Sequence, residues 1–393
     1  MSVGRRWPAE GRTFEDPDTG TTVRQLTNYK AHSHHLYFTN PGWYDDGRRL
    51  LIGSDRGNAS NLYSIDLASG ELTQLTDLDA GPSFLGVTVN PARPEAYFAH
   101  DGTIVAIDLH TTELRTLWQV PDGFRPSMMN CTADGEYVCG SIIEDVSARL
   151  NIKSGHAYSG FRETFDARPL SRVWMTPTAG GETRTVHEER YWIAHVNTSP
   201  TRPRLISFCH EGPWAEVDNR IWCLDLDTGE RWKVRERGVP GEAIGHEYWF
   251  ADGERLGYHG RRPDGTRFFG NIRYDDTEKV ETLWPGVIDP ARSDDPSTFA
   301  KAGHIHSNDH TLIVGDGGAA GDHVLLWRWN GEGYESPRKL CRHRGSFHVQ
   351  ILHVHPRFTP DGKQVLFTAD PNGYGNLYLA DVPEFETLPE AGG

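Results

Sequence analysis

The residues of this chain best suited to chemistry are three histidines and a glutamine: His304, Gln350, His353 and His355. Imidazole nitrogen and amide oxygen, without thiolate, suit Mn, Fe, Co, Ni or Zn better than a soft metal. The chain has 19 histidines, and an isolated His-x-His pair is usually a surface feature. If residues 350–355 form a strand, however, His353 and His355 point to the same side and can bind one ion together. The rest of the sequence must therefore show which elements bring the four residues together.

An internal repeat supplies those elements. Short apolar or histidine-bearing runs lie on both sides of a turn, and a third alternating run and a fourth follow. The seven turns are at Asp46-Gly47, Pro91-Ala92, Asp134-Gly135, Pro200-Thr201, Asp252-Gly253, Asn308-Asp309 and Asp361-Gly362. Four short strands in a unit of about 40 to 50 residues are typical of a β-propeller blade.

The two ends of the chain complete each other. The seventh unit ends after its third run, near Val382, and the segment Thr21–Thr27 resembles the fourth run Leu72–Thr76 of the first unit. We therefore predict an all-β, seven-bladed β-propeller in which an N-terminal strand, about 21–28, completes the last blade and closes the ring. Residues 1–393 are expected to form this single domain, with a loop insertion at 150–169 on one face.

Position within the repeat predicts that several histidines converge. His246 precedes Asp252 by the same interval as His355 precedes Asp361, so the two histidines share a phase in different blades. Residues of equal phase meet near the axis of one face. Other histidines in corresponding segments are His304, His195 and His34 or His35. They could form a metal site, or line the channel and bind water.

Composition excludes several classes of partner. The formal net charge is −15, which disfavours nucleic acid and anionic membranes, although cations converging in one pocket could still bind a small anion. No stretch approaches 18 consecutive apolar residues. The N-terminal arginines are not followed by the apolar run that a signal peptide would have. The cysteines are odd in number and contain no Cys-x-x-Cys pair: Cys131, Cys139, Cys209, Cys223 and Cys341. We expect reduced thiols and a cytoplasmic protein.

Motifs in the second half of the chain resemble those of the oligogalacturonate lyases, a family of seven-bladed β-propeller polysaccharide lyases. The resemblance covers nearly the whole chain. Its most specific motifs are Phe208–Pro213, Asp218–Trp222, His246–Trp249, His304 with Val314–Gly317, and Gln350–Gly362. Residues 150–169 and the first inner strand, Ala31–Phe38, depart from the family pattern.

The resemblance implies a metal centre and a reaction. A manganese ion, or another divalent transition metal, is expected on His304, Gln350, His353 and His355. The implied substrate is a short, anionic oligogalacturonide from pectin, cleaved by β-elimination to unsaturated and 5-keto-4-deoxyuronate products. The proton on C5 is weakly acidic because the adjacent carboxylate is already negative, and a cation on that carboxylate offsets the developing charge.

Two further residues acquire implied catalytic roles. His246 would be the general base, since a neutral imidazole accepts a proton near pH 7, and Arg220 would steady the carboxylate. His246 could instead be a fifth ligand or pair with Glu247. Arg220 could instead pair with Asp218 or Glu216.

Four residues are weaker candidates for binding substrate: His210, Glu211, His195 and Arg168. His210 and Glu211 could equally stabilise a turn, and Arg168 could be a solvated loop residue. The competing functions are the same elimination on a different uronate and a non-catalytic binding or scaffold propeller, which does not need the Gln-x-x-His-x-His set. The oligomeric state stays open.

Overall fold

The computed structural model describes residues 2–79, 84–150, 160–285, 303–317 and 322–391. Within these ranges the chain forms 31 β-strands, which assemble into seven antiparallel sheets. Each sheet follows the sequence repeat, so each is one blade. The predicted seven-bladed propeller is confirmed.

In the first three blades the strands follow one another along the chain. The exception is the N-terminal segment, whose first three strands are divided between blade one and blade seven. Blade one contains β1 (Arg6–Trp7), β4 (Ser33–His34), β5 (Trp43–Tyr44), β6 (Arg49–Ser54), β7 (Asn61–Asp66) and β8 (Leu72–Gln74). Blade two contains β9 (Thr88–Val89), β10 (Glu95–His100), β11 (Thr103–Asp108) and β12 (Leu114–Gln119). Blade three contains β13 (Phe124–Cys131), β14 (Tyr137–Glu144), β15 (Leu170–Pro177) and β16 (Arg184–Arg190).

The last four blades contain the candidate site. Blade four contains β17 (Ile193–Thr198), β18 (Leu205–His210), β19 (Ile221–Asp225) and β20 (Arg231–Val234). Blade five contains β21 (Ala243–Trp249), β22 (Arg255–Arg261), β23 (Arg267–Arg273) and β24 (Val280–Leu283). Blade six contains β25 (Ile305–His306), β26 (Leu312–Gly315), β27 (His323–Arg328) and β28 (Arg338–Arg342). Blade seven contains β2 (Arg12–Glu15), β3 (Thr22–Gln25), β29 (Arg357–Phe358), β30 (Gln364–Ala369) and β31 (Asn376–Asp381).

The turns read from the sequence join the first and second strands of their blades. Asp361 accepts the hydroxyl hydrogen of Thr359 at 2.7 Å and the backbone N–H of Lys363 at 3.1 Å. Asp134 makes the equivalent bonds in blade three. Four of the turn glycines have φ between 69° and 78°, a conformation that glycine adopts without steric cost. They are Gly47, Gly135, Gly253 and Gly362.

The N-terminus closes the ring, as predicted. β3 pairs with β31 through Val23–Ala380, Arg24–Leu379 and Gln25–Tyr378. The N-terminal segment contributes more than the one predicted strand. β2 pairs with the outer edge of β3, and β1 pairs with β8 of blade one. The N-terminal segment therefore contributes to both blades at the seam.

Hydrophobic clusters fill the spaces between neighbouring blades, and the described residues form seven of them. The cluster between blades five and six is the most aromatic. It includes Tyr248, Phe269 and Trp327, together with Tyr37 and Phe38 from the axis side of blade one. Large aromatic side chains contribute much of the buried apolar area in such a core, and here they surround the candidate site.

The interval 150–169 differs in part from the predicted loop. Residues 160–169 contain the helix α1 (Phe161–Ala167), which begins after Gly160 and ends at Arg168, both with positive φ. Residues 151–159 lie outside the described part of the chain. None of the described helices is long and apolar enough to span a membrane.

Candidate metal centre and active site

Three histidines near the axis share an uncommon backbone conformation. His195, His246 and His355 have φ of 48°, 52° and 45°, and Gly303 has φ of 129° in blade six. The pairing register of β17 and of β21 shifts at the histidine each contains. Bulges of this kind re-aim a side chain, and a positive φ at a non-glycine residue costs about 1–3 kcal/mol. The propeller therefore sustains the same local strain in several blades to present imidazoles at one face.

The structure brings together the three histidines predicted as metal ligands. One ligand nitrogen each from His304, His353 and His355 lies within 4.8 Å of the others. Their ring centroids are 4.3 to 5.5 Å apart, and all three side chains are buried. Metal–nitrogen bonds of about 2.1 Å would place two ligands of one ion up to about 4.2 Å apart. Small movements of the three side chains would therefore let their nitrogens bind one ion.

The hydrogen bonding of these rings fits a metal ion. Nδ1 of His353 and Nε2 of His355 are buried and have no hydrogen-bond partner within the described residues. Nδ1 of His304 lies 2.7 Å from Oδ2 of Asp316, which leaves Nε2 available. A carboxylate on the second nitrogen is the usual means of orienting a metal-binding imidazole. Asp316 also accepts the backbone N–H of Gly303 at 3.0 Å.

The protonation state also suits metal binding. Burial lowers the pKa of His353 to about 4, with a further contribution from His304. Burial, followed by His304 and His353, lowers the pKa of His355 well below its ordinary value. Both rings are therefore neutral near pH 7, and a neutral imidazole is the form that binds a metal.

Gln350 does not lie on the predicted strand. It begins a short 3-10 helix, Gln350–Leu352, rather than a strand, and it is exposed. His353 ends that helix, and His355 precedes β29 with positive φ. The predicted strand at 350–355 is therefore wrong. The two histidines converge through an irregular turn and not through strand alternation.

His246 lies beside the three histidines and has a different partner. Its Nδ1 is 2.9 Å from Nε2 of His259, and its ring is 4.6 Å from that of His304. Trp214 packs perpendicular to the ring at 4.9 Å. Burial, followed by the charges of His304 and His259, lowers the pKa of His246 well below its ordinary value. The imidazole is neutral at pH 7, as a base requires, and Glu247 does not pair with it.

Arg220 is buried between two carboxylates. Its Nε donates to Glu247 at 2.9 Å and its Nη1 donates to Glu211 at 2.7 Å. His195 lies 3.4 Å from Nη2. The alternative partners Asp218 and Glu216 bond elsewhere, to His210 and to Arg162. Glu247 is completely buried, which alone would raise its pKa, but Arg220 and His195 together outweigh burial and lower the Glu247 pKa to about 2.

Of the four weaker candidates, His195 and Glu211 lie next to Arg220. His195 is 3.5 Å from Glu211 and 3.4 Å from Glu247, and it groups with Cys209 and Glu211 as a second set of possible ligand atoms. The Arg220 guanidinium disfavours a cation in that set. We interpret these side chains as the support that fixes Arg220.

His210 and Arg168 lie on opposite faces of Tyr191. Both nitrogens of His210 are occupied, Nδ1 by Asp218 at 2.6 Å and Nε2 by Glu189 at 2.9 Å, and its ring stacks on Tyr191 at 3.9 Å. Arg168 is exposed and its Cζ lies 4.2 Å from the same ring. These contacts favour a structural part for both residues over the predicted substrate binding.

Sequence reasoning did not single out His259, Asp316 or Trp214. His259 lies on β22, directly opposite Gly245 at the β21 bulge. Asp316 lies inside the Val314–Gly317 motif, so a search for an acid near His304 in the repeat could have found it. Trp214 follows the Phe208–Pro213 motif and gave no separate signal.

The chain is similar to known proteins along nearly its whole length. The family model described as oligogalacturonate lyase matches residues 1–386. The oligogalacturonide lyase of Pectobacterium atrosepticum is 31% identical, and the oligogalacturonate lyase of Dickeya dadantii is 29% identical. Both alignments cover 98% of this chain and 99% of the relative. A solved oligogalacturonate lyase in complex with manganese superimposes with a TM-score of 0.84 at 28% identity, covering 98% of this chain and 99% of that one.

The match extends over the whole propeller and includes every blade that contributes to the site. The motifs, the fold and the three-histidine cluster of this chain agree with the resemblance that was read from the sequence. The chain belongs to the oligogalacturonate lyase family.

Proposed function

We propose that this protein is a manganese-dependent lyase that cleaves short oligogalacturonides by β-elimination. The observation that carries the proposal is the pair of buried ring nitrogens on His353 and His355 that have no described partner, beside a neutral His246. A buried polar atom without a partner calls for an explanation, and two of them in one cluster of three histidines are explained by a bound ion. Family membership supplies the class of substrate.

The ligand set proposed for the ion is His304, His353 and His355, with Gln350 as the fourth member. Asp316 orients His304, and neutral imidazoles suit Mn²⁺ as well as other divalent transition metals. When bound, the cation supplies positive charge beside the uronate carboxylate and so makes the C5 proton easier to remove. Gln350 would have to turn inward from its exposed position on the 3-10 helix.

His246 is proposed to remove the C5 proton. If its Nδ1–H donates to His259, Nε2 keeps a lone pair that can accept the proton. The electron pair left on C5 forms the C4–C5 double bond, the C4–O bond breaks, and the departing oxygen takes up a proton from water. His259 then receives a stronger hydrogen bond from the protonated His246, which stabilises the charge that has formed. His246 later gives its proton to the hydroxide that remains.

Arg220 is proposed to stabilise negative charge on the substrate. Two buried carboxylates hold its guanidinium in one orientation, and a rigid donor loses little conformational entropy when it binds. Its Nη2 lies 3.4 Å from His195, one of the histidines with positive φ. The alternative substrate is another uronate oligosaccharide, which the same groups could act on.

We also infer a cytoplasmic location. All five cysteines are buried free thiols, which fits a reducing compartment. A short anionic sugar would be the partner there, and we propose no nucleic acid or membrane partner for a chain with a formal net charge of −15.

The decisive experiment is incubation of the metal-loaded protein with digalacturonate while the ultraviolet absorbance of the new conjugated double bond is followed. A rise in absorbance that a chelator abolishes and manganese restores supports the proposal. No absorbance with galacturonate oligomers, but a signal with another uronate, would keep the mechanism and replace the substrate. Stoichiometric metal without activity on any uronate would favour a binding propeller.

A further inference from the structure

Two arginines lie beside the candidate site on the hairpin that joins the second and third strands of blade five. Arg261 is the last residue of β22 and pairs directly across the ladder with Arg267, the first residue of β23. Residues opposite each other point to the same face of a sheet, and so do residues two apart on one strand. Arg261, Arg267 and His259 therefore share one face. His259 in turn contacts the proposed base, His246, at 2.9 Å.

Arg267 lies close to that group of rings. Its Cζ is 5.8 Å from the ring of Trp284, and Trp284 contacts His259 with 5.5 Å between ring centroids. Burial lowers the pKa of His259 to about 3, and the charge of Arg267 is the next contribution. β21 and β23 are separated by two strand spacings, about 10 Å. That distance places Arg267 outward from His246 along the same face of the blade.

Arg267 has no carboxylate partner among the described residues. The fully buried arginines are paired with carboxylates, whereas the half-buried Arg357 donates to the backbone of Phe38. Arg220 contacts Glu211 and Glu247, and Arg235 contacts Glu242 and Glu281. Like charges placed directly opposite each other in a sheet are destabilising, and the arginine pair concentrates positive charge on one side of a strongly acidic protein. An anion beside the Arg267 guanidinium would offset its unpaired charge.

We propose that Arg267, supported by Arg261 and Trp284, binds the carboxylate of the uronate unit next to the bond that is cleaved. The proposal rests on the proposed function, because it takes the substrate to carry a carboxylate on every sugar. A planar guanidinium on an aromatic ring is well suited to hold a carboxylate through two hydrogen bonds. The residue would set the preference for a neighbouring sugar that is charged.

The test compares the wild-type protein with Arg267→Ala and Arg267→Lys. One substrate is digalacturonate, and the other carries a methyl ester on the unit that does not lose its C5 proton. With the free acid, Arg267→Ala should raise KM by about 10- to 100-fold and leave kcat unchanged. The lost contact would bind the substrate and the transition state equally. Arg267→Lys should recover part of this loss. With the ester, the wild type and Arg267→Ala should have the same KM.

Arg262→Ala is the matched control, since Arg262 is exposed on the same hairpin. It should leave both KM values unchanged, and all variants should keep the metal content of the wild type. An unchanged KM for the free acid in Arg267→Ala, or an equal loss with the ester, overturns the proposal.

Failure of the proposed function is distinguishable, because the wild type would then cleave no galacturonate oligomer. Binding of trigalacturonate measured by calorimetry would still decide the role of Arg267. Weaker binding by Arg267→Ala than by the wild type supports the subsite, and equal affinities overturn it.

Discussion

Buried histidines in this propeller are of two kinds, which differ in what their ring nitrogens contact. The metal-side histidines, His304, His353 and His355, contact one another and aromatic rings, and two of them have a buried nitrogen without a described partner. The acid-paired histidine, His210, has a carboxylate on each nitrogen. Both groups lie on motifs that looked functional in the sequence.

The difference lies in charge as well as geometry. Burial lowers the pKa of His353 to about 4, so its nitrogens can act as ligands. Burial also disfavours the charged form of His210, but the hydrogen bonds that its ring donates to Asp218 and Glu189 outweigh this effect and raise the pKa. A cationic imidazole with both N–H groups engaged cannot bind a metal. Carboxylates on both nitrogens therefore distinguish a structural histidine from a candidate ligand.

The largest expected effect is the loss of a metal-side histidine. His355→Ala should abolish stoichiometric metal binding and lower turnover about 1,000-fold or more, because charge stabilisation worth several kcal/mol is lost. Metal analysis and the absorbance assay measure the two effects. His210→Gln, purified in the same way, should keep its metal. Equal metal content in both variants would remove the distinction between the two groups.

The next effect separates the base from the ligands. His246→Ala should keep stoichiometric metal but lose at least about 100-fold in kcat, the usual range for general base catalysis. Loss of the metal in this variant would instead identify His246 as a fifth ligand. Thermal unfolding of the apo-protein provides the check that the fold is intact.

A carboxylate that orients a metal-side histidine should matter less than the ligand itself. Asp316→Asn should weaken metal affinity about 10- to 100-fold, since the amide no longer polarises His304. Competition with a chelator of known affinity would measure the change. Unaltered affinity would show that His304 is oriented by packing alone.

The smallest effect concerns the acid-paired histidine. His210→Gln should leave turnover unchanged and reduce the free energy of unfolding by about 1–2 kcal/mol. Because the folded pKa of His210 is raised, its contribution is present below the unfolded value of about 6.5 and is lost as pH rises through the folded pKa. The pKa values of Glu189 and Asp218 are lowered, so their part is lost at acidic pH, below about 4.

Denaturant unfolding from pH 4 to 9 checks this dependence. The difference between the wild type and His210→Gln should be greatest near pH 5–6 and smallest near pH 9. A difference that grows with pH would contradict the assigned charge state, and a loss of turnover would restore a substrate-binding role.

The sequence was sufficient to predict the blades, the closing strand and the approach of His304 to His355. Each of these follows from periodicity, because equal phase in a closed ring means a common position near the axis. It was not sufficient to predict the positive φ of His195, His246 and His355. A bulge depends on the packing of neighbouring strands, and no residue type marks it.

Pairings between side chains of different strands were also out of reach. Arg220 pairs with Glu211 and Glu247, whereas the acids nearest to it in sequence, Asp218 and Glu216, bond elsewhere. Gln350 was placed on a strand because an i, i+2 pattern follows it, but the segment forms a 3-10 helix. Local patterns could not reveal either outcome, since both depend on contacts across the blade.

The pairing of β3 with β31 has a consequence for the order in which this protein can mature. Thr27 donates a hydrogen bond to Asn376, so blade seven joins residues separated by nearly the whole length of the chain. His353 and His355 lead into β29 of that same blade. The catalytic face cannot be assembled on a nascent chain until the last strand has left the ribosome. Metal acquisition should therefore be a late event in biogenesis, and a truncation that removes β3 or β31 should impair it together with folding.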